Sequence, residues 1–379
     1  MTIQASDFMD AAAAAGFDFY TGVPCSYLTP LINGVLSNRT LRYVGAASEG
    51  EAVAIAAGAW LAGRQTVAMC QNSGLGNMVN PLTSLNHPFR IPTLLVTTWR
   101  GRPGEPDEPQ HEIMGQITQD LLSLMRIPHR PFPADAQQVG PALAEATSAM
   151  DETGLPFAFV MAKGDVADSD LDQAPRPQRA AGRHADFRKG SERPTRAAVL
   201  ERFLTLTDDQ TAVIATTGKC GRELFTLADR PQHLYQVGSM GGAAGMGLGV
   251  ALNTTRRVVV LDGDGAALMK LGTMATIGAE HPANLVHILL DNGVHDSTGC
   301  QATVSASVDF AAVALACGYA YAAACDDLDG FASAWAQSDT MDGPALIHIR
   351  IQPGSMASLG RPTISPEAVA QRFKAFLAG

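Results

Sequence analysis

Residues 257–265 have the sequence RVVVLDGDG, and this stretch indicates the fold of the chain around it. The run from Val258 to Leu261 is short, apolar and β-branched, which is typical of a strand buried in a parallel sheet. A second run of this kind, LVHILLDN, occupies residues 285–292. The segment between them has room for one helix. The two runs therefore predict parallel strands whose carboxyl ends meet at one edge of a sheet.

Two oxygen-bearing side chains follow these strands, Asp264 and Asn292, which lie 28 residues apart. Carboxylate and amide oxygens are ligands that Mg²⁺ prefers. The glycines on either side of Asp264 would let a diphosphate approach the backbone, and the N-terminus of a following helix favours an anion. An ordinary turn is the alternative, because Asp-Gly is a frequent turn dipeptide.

The composition is that of a globular protein long enough for two domains. The 379 residues are 46% hydrophobic and 17% charged, with a net charge of −10. An acidic chain is a poor partner for nucleic acid, and no apolar run approaches the ~20 residues of a membrane helix. The N-terminal residues lack the features of a signal peptide. Because the six cysteines show no paired spacing, we expect a cytoplasmic protein with free thiols.

Short apolar runs alternate with Ala-rich segments along the chain, which predicts an α/β fold with mainly parallel sheets. Residues 165–194 interrupt this pattern with proline and basic residues and few large apolar side chains, as in a linker. The sequence therefore predicts two open α/β domains, residues 1–164 and 195–379. The predicted strands are 17–20, 41–44, 66–70, 93–97, 157–160, 211–215, 258–261, 285–290 and 346–350. The predicted helices are 5–15, 27–36, 50–62, 77–85, 135–150 and 195–206.

The order Gly-Asp-Gly, a gap of this size, then Asn resembles the signature of the thiamin-diphosphate-dependent enzymes. The resemblance implies that thiamin diphosphate is the cofactor and that Asp264, Asn292 and the carbonyl of Val294 hold its Mg²⁺. The Asn-Asn pair usual in that family is here Asp291-Asn292. Asp291 thus replaces the first Asn of the pair, and Asn292 keeps the second, which is the metal-ligand position in the family.

A second requirement of that family is a glutamate that hydrogen-bonds the aminopyrimidine ring of the cofactor. The segment AASEGEAVAIAAG, residues 46–58, resembles the family's glutamate segment, with Gly58 nine positions after Glu49. The resemblance assigns the cofactor-binding and catalytic role to Glu49. Glu51 is the competing candidate, and an ordinary glutamate in the first turn of a helix is the alternative.

Residues 236–249, QVGSMGGAAGMGLG, look like the turn and helix that clasp the cofactor in the same family. The resemblance gives Met240 the role of the apolar wedge that bends the cofactor, with backbone groups of Gly238 and Met240 at its pyrimidine edge. A methionine that merely fills the core is the alternative. Thr217 and Gly218 form a candidate diphosphate loop, to which Gly265 and Ala266 would add backbone donors.

The order of these segments is that of a pyrimidine-binding domain followed by a diphosphate-binding domain, with no middle domain between them. That narrows the resemblance to the compact phosphonopyruvate and sulfopyruvate decarboxylases. The implied reaction converts 3-phosphonopyruvate, a small anionic 2-oxo acid, into phosphonoacetaldehyde and CO₂. Sulfopyruvate is the alternative substrate. The superfamily draws the two ends of each site from different subunits, which implies a homo-oligomer of at least two subunits.

The residues that follow the predicted strands include further polar candidates. The catalytic candidates besides Glu49 are His111, His295 and Asp296, which are suited to acid–base work or substrate placement. An exposed loop histidine and a helix-capping aspartate are the alternatives. For the substrate's anionic groups the candidates are Ser26, Asn72, Ser73 and Arg100. A protein of another class, a non-catalytic α/β binding or scaffold protein, would keep the fold without the chemistry.

Overall fold

The computed structural model describes residues 2–379, which form two compact units that divide between Pro177 and Gln178. Each unit contains one fully parallel sheet with helices between its strands, so the predicted α/β class is confirmed. Among the described residues, no helix is both long and apolar enough to cross a membrane.

The first unit has a six-stranded sheet in the order β2-β1-β3-β4-β6-β5. Its strands are β1 (Phe17–Gly22), β2 (Arg42–Gly45), β3 (Gln65–Cys70), β4 (Leu94–Thr98), β5 (His129–Pro131) and β6 (Phe157–Met161). Its helices are α1 (Ala5–Ala14), α2 (Thr29–Ser37), α3 (Glu49–Leu61), α4 (Leu75–Pro81), α5 (His87–Phe89), α6 (Glu112–Leu124) and α7 (Ala136–Thr153). The chain leaves β1 for β2 on one side and then continues with β3 on the other side. The carboxyl ends of β1 and β3 therefore form a switch point, where α/β proteins bind ligands.

The second unit has a seven-stranded sheet in the order β7-β14-β15-β11-β10-β8-β9. Its strands are β7 (Arg183–Asp186), β8 (Ala212–Ala215), β9 (His233–Tyr235), β10 (Val258–Gly263), β11 (Leu285–Asp291), β14 (Tyr321–Cys325) and β15 (Ala345–Arg350), and a hairpin adds β12 (Val294–His295) and β13 (Gln301–Ala302). Its helices are α8 (Arg196–Leu206), α9 (Lys219–Leu227), α10 (Ala243–Ala251), α11 (Asp264–Met269), α12 (Gly272–Glu280), α13 (Phe310–Ala316), α14 (Leu328–Ser338) and α15 (Pro366–Ala378). A second switch point lies between β8 and β10.

The two runs that predicted the fold are neighbouring parallel strands, as expected. In the register of β10 and β11, Val258 pairs with Leu285 and Gly263 pairs with Leu290. Helix α10 packs so closely on this sheet that a Cβ atom placed on Gly247 would lie 2.2 Å from Cγ2 of Val260. The glycines and alanines of this helix thus allow the close helix–sheet packing that orders the strand ends.

The structure differs from the sequence prediction in several places, including β9, β14, α9 and α13 to α15, which were not predicted. A strand, β7, lies within the predicted linker and forms the exposed edge of the second sheet. Its sequence, RHAD, lacks large apolar residues because little of an edge strand is buried. The predicted helix at 77–85 is α4 followed by a π-helical turn at Leu82–Asn86. Helix α6 and strand β5 were not predicted, since a charged, Gly/Pro-rich loop and a proline obscure their patterns.

Candidate active site

A cavity of about 260 Å³ opens at the switch point of the second unit. Its walls come from the residues that follow β8, β10 and β11, together with Met240 from the turn before α10. The sequence-predicted residues of this unit that line it are Thr217, Gly218, Met240, Asp264, Gly265, Ala266, Asn292, Val294, His295 and Asp296. Gly238 is not among the lining residues, but it belongs to the turn that carries Met240.

The two side chains predicted to bind the metal are buried at this edge. Asp264 is 2% exposed and Asn292 is 7% exposed. Burial raises the pKa of Asp264, the negative charge of Asp291 adds to the rise, and a hydrogen bond of 2.5 Å from Thr303 Oγ1 opposes it. Residues 2–379 contain no cluster of three or more His, Cys, Asp or Glu side chains fit for a metal. A cation here would therefore complete its shell with phosphate oxygens and water, as Mg²⁺ commonly does.

Asp291, which stands where the family usually has Asn, is paired with a histidine from the neighbouring strand. His348 Nε2 lies 2.9 Å from Asp291 Oδ2, and Ser305 Oγ donates to Oδ1 at 2.9 Å. Burial would raise the pKa of Asp291, but the hydrogen bond and charge of His348, with help from Ser305, hold it below the usual range. The replacement of Asn by Asp is thus matched by a specific partner.

The glycine-rich loop of the cavity is open at Gly263, where an added Cβ atom would meet nothing within 4 Å, and closely packed at Gly265. A Cβ atom on Gly265 would lie 2.7 Å from Cε1 of His295 and 3.3 Å from Cε of Met240. Thr216 is 3% exposed, and its hydroxyl has no hydrogen-bond partner among the described residues. A buried hydroxyl without a partner beside an open loop is a ready donor to a bound phosphate oxygen.

The turn that carries Met240 before α10 has an unusual backbone conformation on both sides of this residue. Gly238, Ser239 and Gly241 all have positive φ, at 63°, 41° and 88°. A non-glycine residue such as Ser239 adopts this region only when its surroundings fix it. Gln236 does so here, because its side-chain Nε2 donates to the carbonyl of Ser239 at 2.7 Å.

Asp296 is engaged in a buried network. Its Oδ2 accepts from Asn292 Nδ2 and from Arg196 Nη2, both at 2.6 Å. Its Oδ1 accepts from the Gly354 N–H at 3.0 Å. With both oxygens occupied, the carboxylate is placed to orient Asn292. His295, in contrast, lines the cavity directly.

In the first unit, the structure distinguishes the two candidate glutamates. Glu51 is 2% exposed, and its Oε2 accepts from the Ala47 N–H at 2.8 Å, which caps helix α3. Glu49 is half-buried and points away from its own helix, where its Oε2 accepts from Asn77 Nδ2 at 2.7 Å. A Cβ atom on Gly74 would lie 2.6 Å from Glu49 Oε1. Of the two glutamates, Glu49 presents its carboxylate at the end of β3.

Arg100 and His111 meet at one carboxylate, that of Asp107. Arg100 donates to it from Nε at 2.8 Å and from Nη2 at 2.5 Å, while His111 Nδ1 lies 3.0 Å from Oδ1. The hydrogen bonds from Arg100 hold the pKa of Asp107 far below its usual range, although burial opposes them. An ionised Asp107 fixes the proton of neutral His111 on Nδ1. Nε2 of His111 then faces Gln71 Nε2, at 3.4 Å.

The four residues predicted to bind the substrate are placed differently from one another. Arg100 Nη1 donates to Ser26 Oγ at 3.1 Å, and Ser73 Oγ accepts from Gln71, so these groups share the edge near His111. Asn72 is instead fully buried, and its Nδ2 donates to the Arg100 carbonyl at 2.8 Å and to Thr118. Both hydrogen bonds hold the Asn72 side chain inside the fold, whereas Ser26, Ser73 and Arg100 lie at the edge.

Comparison with known proteins identifies the family. Residues 4–123 match the N-terminal TPP binding domain of the thiamine pyrophosphate enzymes, and residues 216–349 match the C-terminal TPP binding domain. A phosphonopyruvate decarboxylase of Streptomyces viridochromogenes is 52% identical over 99% of this chain and 95% of its own length. That of Streptomyces hygroscopicus is 52% identical over 99% of this chain and 94% of its own length.

The chain is a thiamine pyrophosphate enzyme. A sulfopyruvate decarboxylase of Methanosarcina acetivorans is a more distant relative, 30% identical over 95% of this chain and 94% of its own length. Among solved structures, a putative thiamin diphosphate-dependent enzyme of Mycobacterium smegmatis aligns with a TM-score of 0.73 at 14% identity, covering 93% of this chain and 100% of that one. That likeness supports the fold alone.

The residues of this thiamine pyrophosphate enzyme fit its cofactor. The cavity offers a buried carboxylate and amide for Mg²⁺, and for phosphates a hydroxyl at Thr216 without a partner among the described residues and an open face at Gly263. The sequence did not reveal three residues that organise this arrangement, Arg196, Thr303 and His348, nor Asp107 in the first unit. Their partners are mostly far away along the chain, and no spacing pattern connects them.

Proposed function

We propose that this enzyme decarboxylates 3-phosphonopyruvate to phosphonoacetaldehyde and CO₂ with thiamin diphosphate and Mg²⁺. One observation supports this substrate most strongly, namely the 52% identity to phosphonopyruvate decarboxylases over nearly the whole of both chains. Similarity of that extent includes both sheet edges and the loops that follow them, where substrate-binding residues of α/β enzymes lie.

At the metal end, Asp264, Asn292 and the Val294 carbonyl would hold Mg²⁺. Thr217, Gly218, Gly265 and Ala266 would hold the diphosphate, and Met240 would support the bent cofactor. When bound, the cofactor would supply a nucleophilic carbon for the keto group and a cationic ring that takes up the electron pair released with CO₂. Because the buried charge of Asp264 is unfavourable without a cation, its retention favours an enzyme over a scaffold protein.

At the other end, Glu49 would hydrogen-bond the aminopyrimidine and move a proton at its ring nitrogen. His111, with its Nδ1 proton held by Asp107, would accept a hydrogen bond or a proton from substrate at Nε2, in place of its present contact with Gln71. His295 lies beside Gly265 and would contact the reacting group. The carboxyl group of the substrate leaves as CO₂, and a proton takes its place on the same carbon. Ser26, Ser73 and Arg100 are suited to the anionic groups.

A test of the cofactor requirement uses protein stripped by a chelator. CO₂ release from 3-phosphonopyruvate should vanish on removal of the metal and return only when Mg²⁺ and thiamin diphosphate are both added. Phosphonoacetaldehyde, measured by reduction with an aldehyde reductase, should form in equal amount. Turnover that survives complete removal of metal and cofactor would overturn the proposed function.

We further propose a homo-oligomer of at least two subunits, because family members build each site from Glu49-type and Asp264-type residues of different subunits. Two inactive variants, Glu49→Gln and Asp264→Asn, provide the test. In mixed oligomers some sites receive both intact residues, so co-expression should restore activity that neither variant has alone. Mixed oligomers as inactive as their parents would contradict this arrangement.

A further inference from the structure

A buried ion pair stands directly behind the metal-ligand candidate Asn292. Arg196 and Asp296 have side chains that are 7% and 6% exposed, and they meet at 2.6 Å. The same Asp296 oxygen accepts the amide N–H of Asn292 at 2.6 Å. Because these groups are desolvated and one partner is charged, the hydrogen bonds are stronger than ordinary surface contacts.

A carboxylate can only accept hydrogen bonds, so Asp296 can face only the amino side of the Asn292 amide. Its Oδ1 accepts from the Gly354 N–H and lies 3.7 Å from Cys300 Sγ. The amide oxygen of Asn292 is thereby turned to the other side, where the Val294 N–H donates to it at 3.1 Å. A carbonyl oxygen has two lone pairs, so one remains for a cation.

Arg196 is itself fixed by several parts of the second unit. It occupies the first turn of helix α8, its Nη1 donates to the Gly354 carbonyl at 3.2 Å, and Glu223 of helix α9 lies 3.6 Å away. Glu223 in turn accepts from the Met356 N–H at 2.8 Å. The position of Asp296 is thus set by two helices and the loop around residue 354.

We propose that Asp296, held by Arg196, is a positioning residue that fixes the amide orientation of Asn292 and thereby the affinity for Mg²⁺. The inference rests on the proposed metal-binding role of Asn292 and is independent of the identity of the substrate. Asp296, which the sequence predicted to be catalytic, would then act by positioning Asn292.

The test measures metal binding without turnover. Asp296→Asn replaces one of the two acceptor oxygens with an NH₂ group. Facing Asn292 and Arg196, this group would repel their donors and release the Asn292 amide; facing the Gly354 N–H, it would put two donors against each other and displace the side chain that holds Asn292. Mn²⁺ binding in the presence of thiamin diphosphate, followed through the electron paramagnetic resonance signal of free Mn²⁺, should weaken 10- to 100-fold. Asp229→Asn is the matched control. Asp229 is paired with Arg372 in the same unit but is not among the cavity-lining residues, so Mn²⁺ binding should be unchanged.

Three variants separate positioning from a general structural role. Arg196→Met should weaken Mn²⁺ binding as Asp296→Asn does, and Arg196→Lys should restore part of it because the charge returns without the planar fork. Thermal unfolding and circular dichroism identify any variant that fails to fold, in which case Arg196→Lys decides. Wild-type affinity in a folded Asp296→Asn or Arg196→Lys protein would overturn the proposal. A wild-type protein that binds no Mn²⁺ would instead refute Asn292 as a ligand.

Discussion

Each unit contains an arginine–aspartate pair at the carboxyl edge of its sheet, and the two pairs hold different kinds of side chain. In the first unit, Arg100 and Asp107 hold His111 by its Nδ1 atom. In the second unit, Arg196 and Asp296 hold Asn292 by its amide nitrogen. The first pair thus selects a tautomer and the second selects an amide orientation.

The two aspartates also differ in the donors around them. Asp107 receives both Nε and Nη2 of Arg100 and two backbone N–H groups, so its charge is strongly stabilised in the protein itself. Asp296 shares a single oxygen between Arg196 and Asn292. A preformed ion pair can thus fix the position of a proton, as on His111, or the orientation of a candidate metal ligand, as in Asn292.

The largest effect is expected from Glu49, which lies in the unit of the first pair but outside the pair. Glu49→Gln should lower kcat by roughly 10³-fold, because a positioned proton-transfer group contributes about 10²–10⁴-fold. The control is Glu51→Gln, which keeps an acceptor for the Ala47 N–H, and it should stay within a few-fold of wild type. Steady-state CO₂ release measures both. Equal losses of kcat in Glu49→Gln and Glu51→Gln would show that the first turn of helix α3 as a whole, and not Glu49 specifically, is required for activity.

A smaller effect is expected when the first pair is changed. Asp107→Asn can turn its NH₂ group toward His111 and shift the imidazole to the other tautomer, so kcat should fall on the order of 10²-fold. The pH profile of kcat should change shape as well. Asp186→Asn, which alters an exposed pair with Arg188, is the control. A folded Asp107→Asn enzyme with unchanged kcat and pH profile would show that the tautomer of His111 is irrelevant.

The sequence predicted the second edge more completely than the first. The Gly-Asp-Gly run and the following Asn are close to their strand ends, so strand prediction alone brought Asp264 and Asn292 together. The pairing of Arg196 with Asp296 joins residues a hundred positions apart, and it depends on how α8 packs on α9. The polar motif that contains Asn72 did not reveal that this side chain is buried and donates hydrogen bonds to Thr118 and to the Arg100 carbonyl.

The sheet edge that carries Asp264 should differ from the edge that carries Arg100 in its effect on thermal stability. Burial raises the pKa of Asp264, so its ionised form destabilises the cofactor-free protein at pH 7. Because the folded pKa lies above the unfolded value, this cost is absent at pH below about 4 and grows as the pH rises. Asp264→Asn should therefore raise Tm without metal at pH 7, and this increase should shrink as the pH is lowered toward about 4. An unchanged or lower Tm would contradict a strained carboxylate.

The smallest effect is expected for His233, which belongs to neither arginine–aspartate pair and serves as a reference for them. Burial lowers the pKa of His233 to about 4, so folding favours its neutral form. The contribution to stability is complete above the unfolded value near 6.5 and is lost as the pH falls toward 4. Urea unfolding at a series of pH values should show that the free energy of unfolding of the wild type falls as the pH is lowered from about 6.5 to about 4. In His233→Gln this dependence on pH should have a shallower slope. Identical slopes would remove His233 as a source of acid sensitivity.

The most direct test of the central claim compares kcat/KM for 3-phosphonopyruvate and sulfopyruvate in one preparation with thiamin diphosphate and Mg²⁺. The two substrates share the 2-oxo acid and differ in the anionic head, so every cofactor contact is common to both. The account predicts a higher kcat/KM for 3-phosphonopyruvate, with phosphonoacetaldehyde and CO₂ formed in equal amounts. An equal or higher kcat/KM for sulfopyruvate would contradict it.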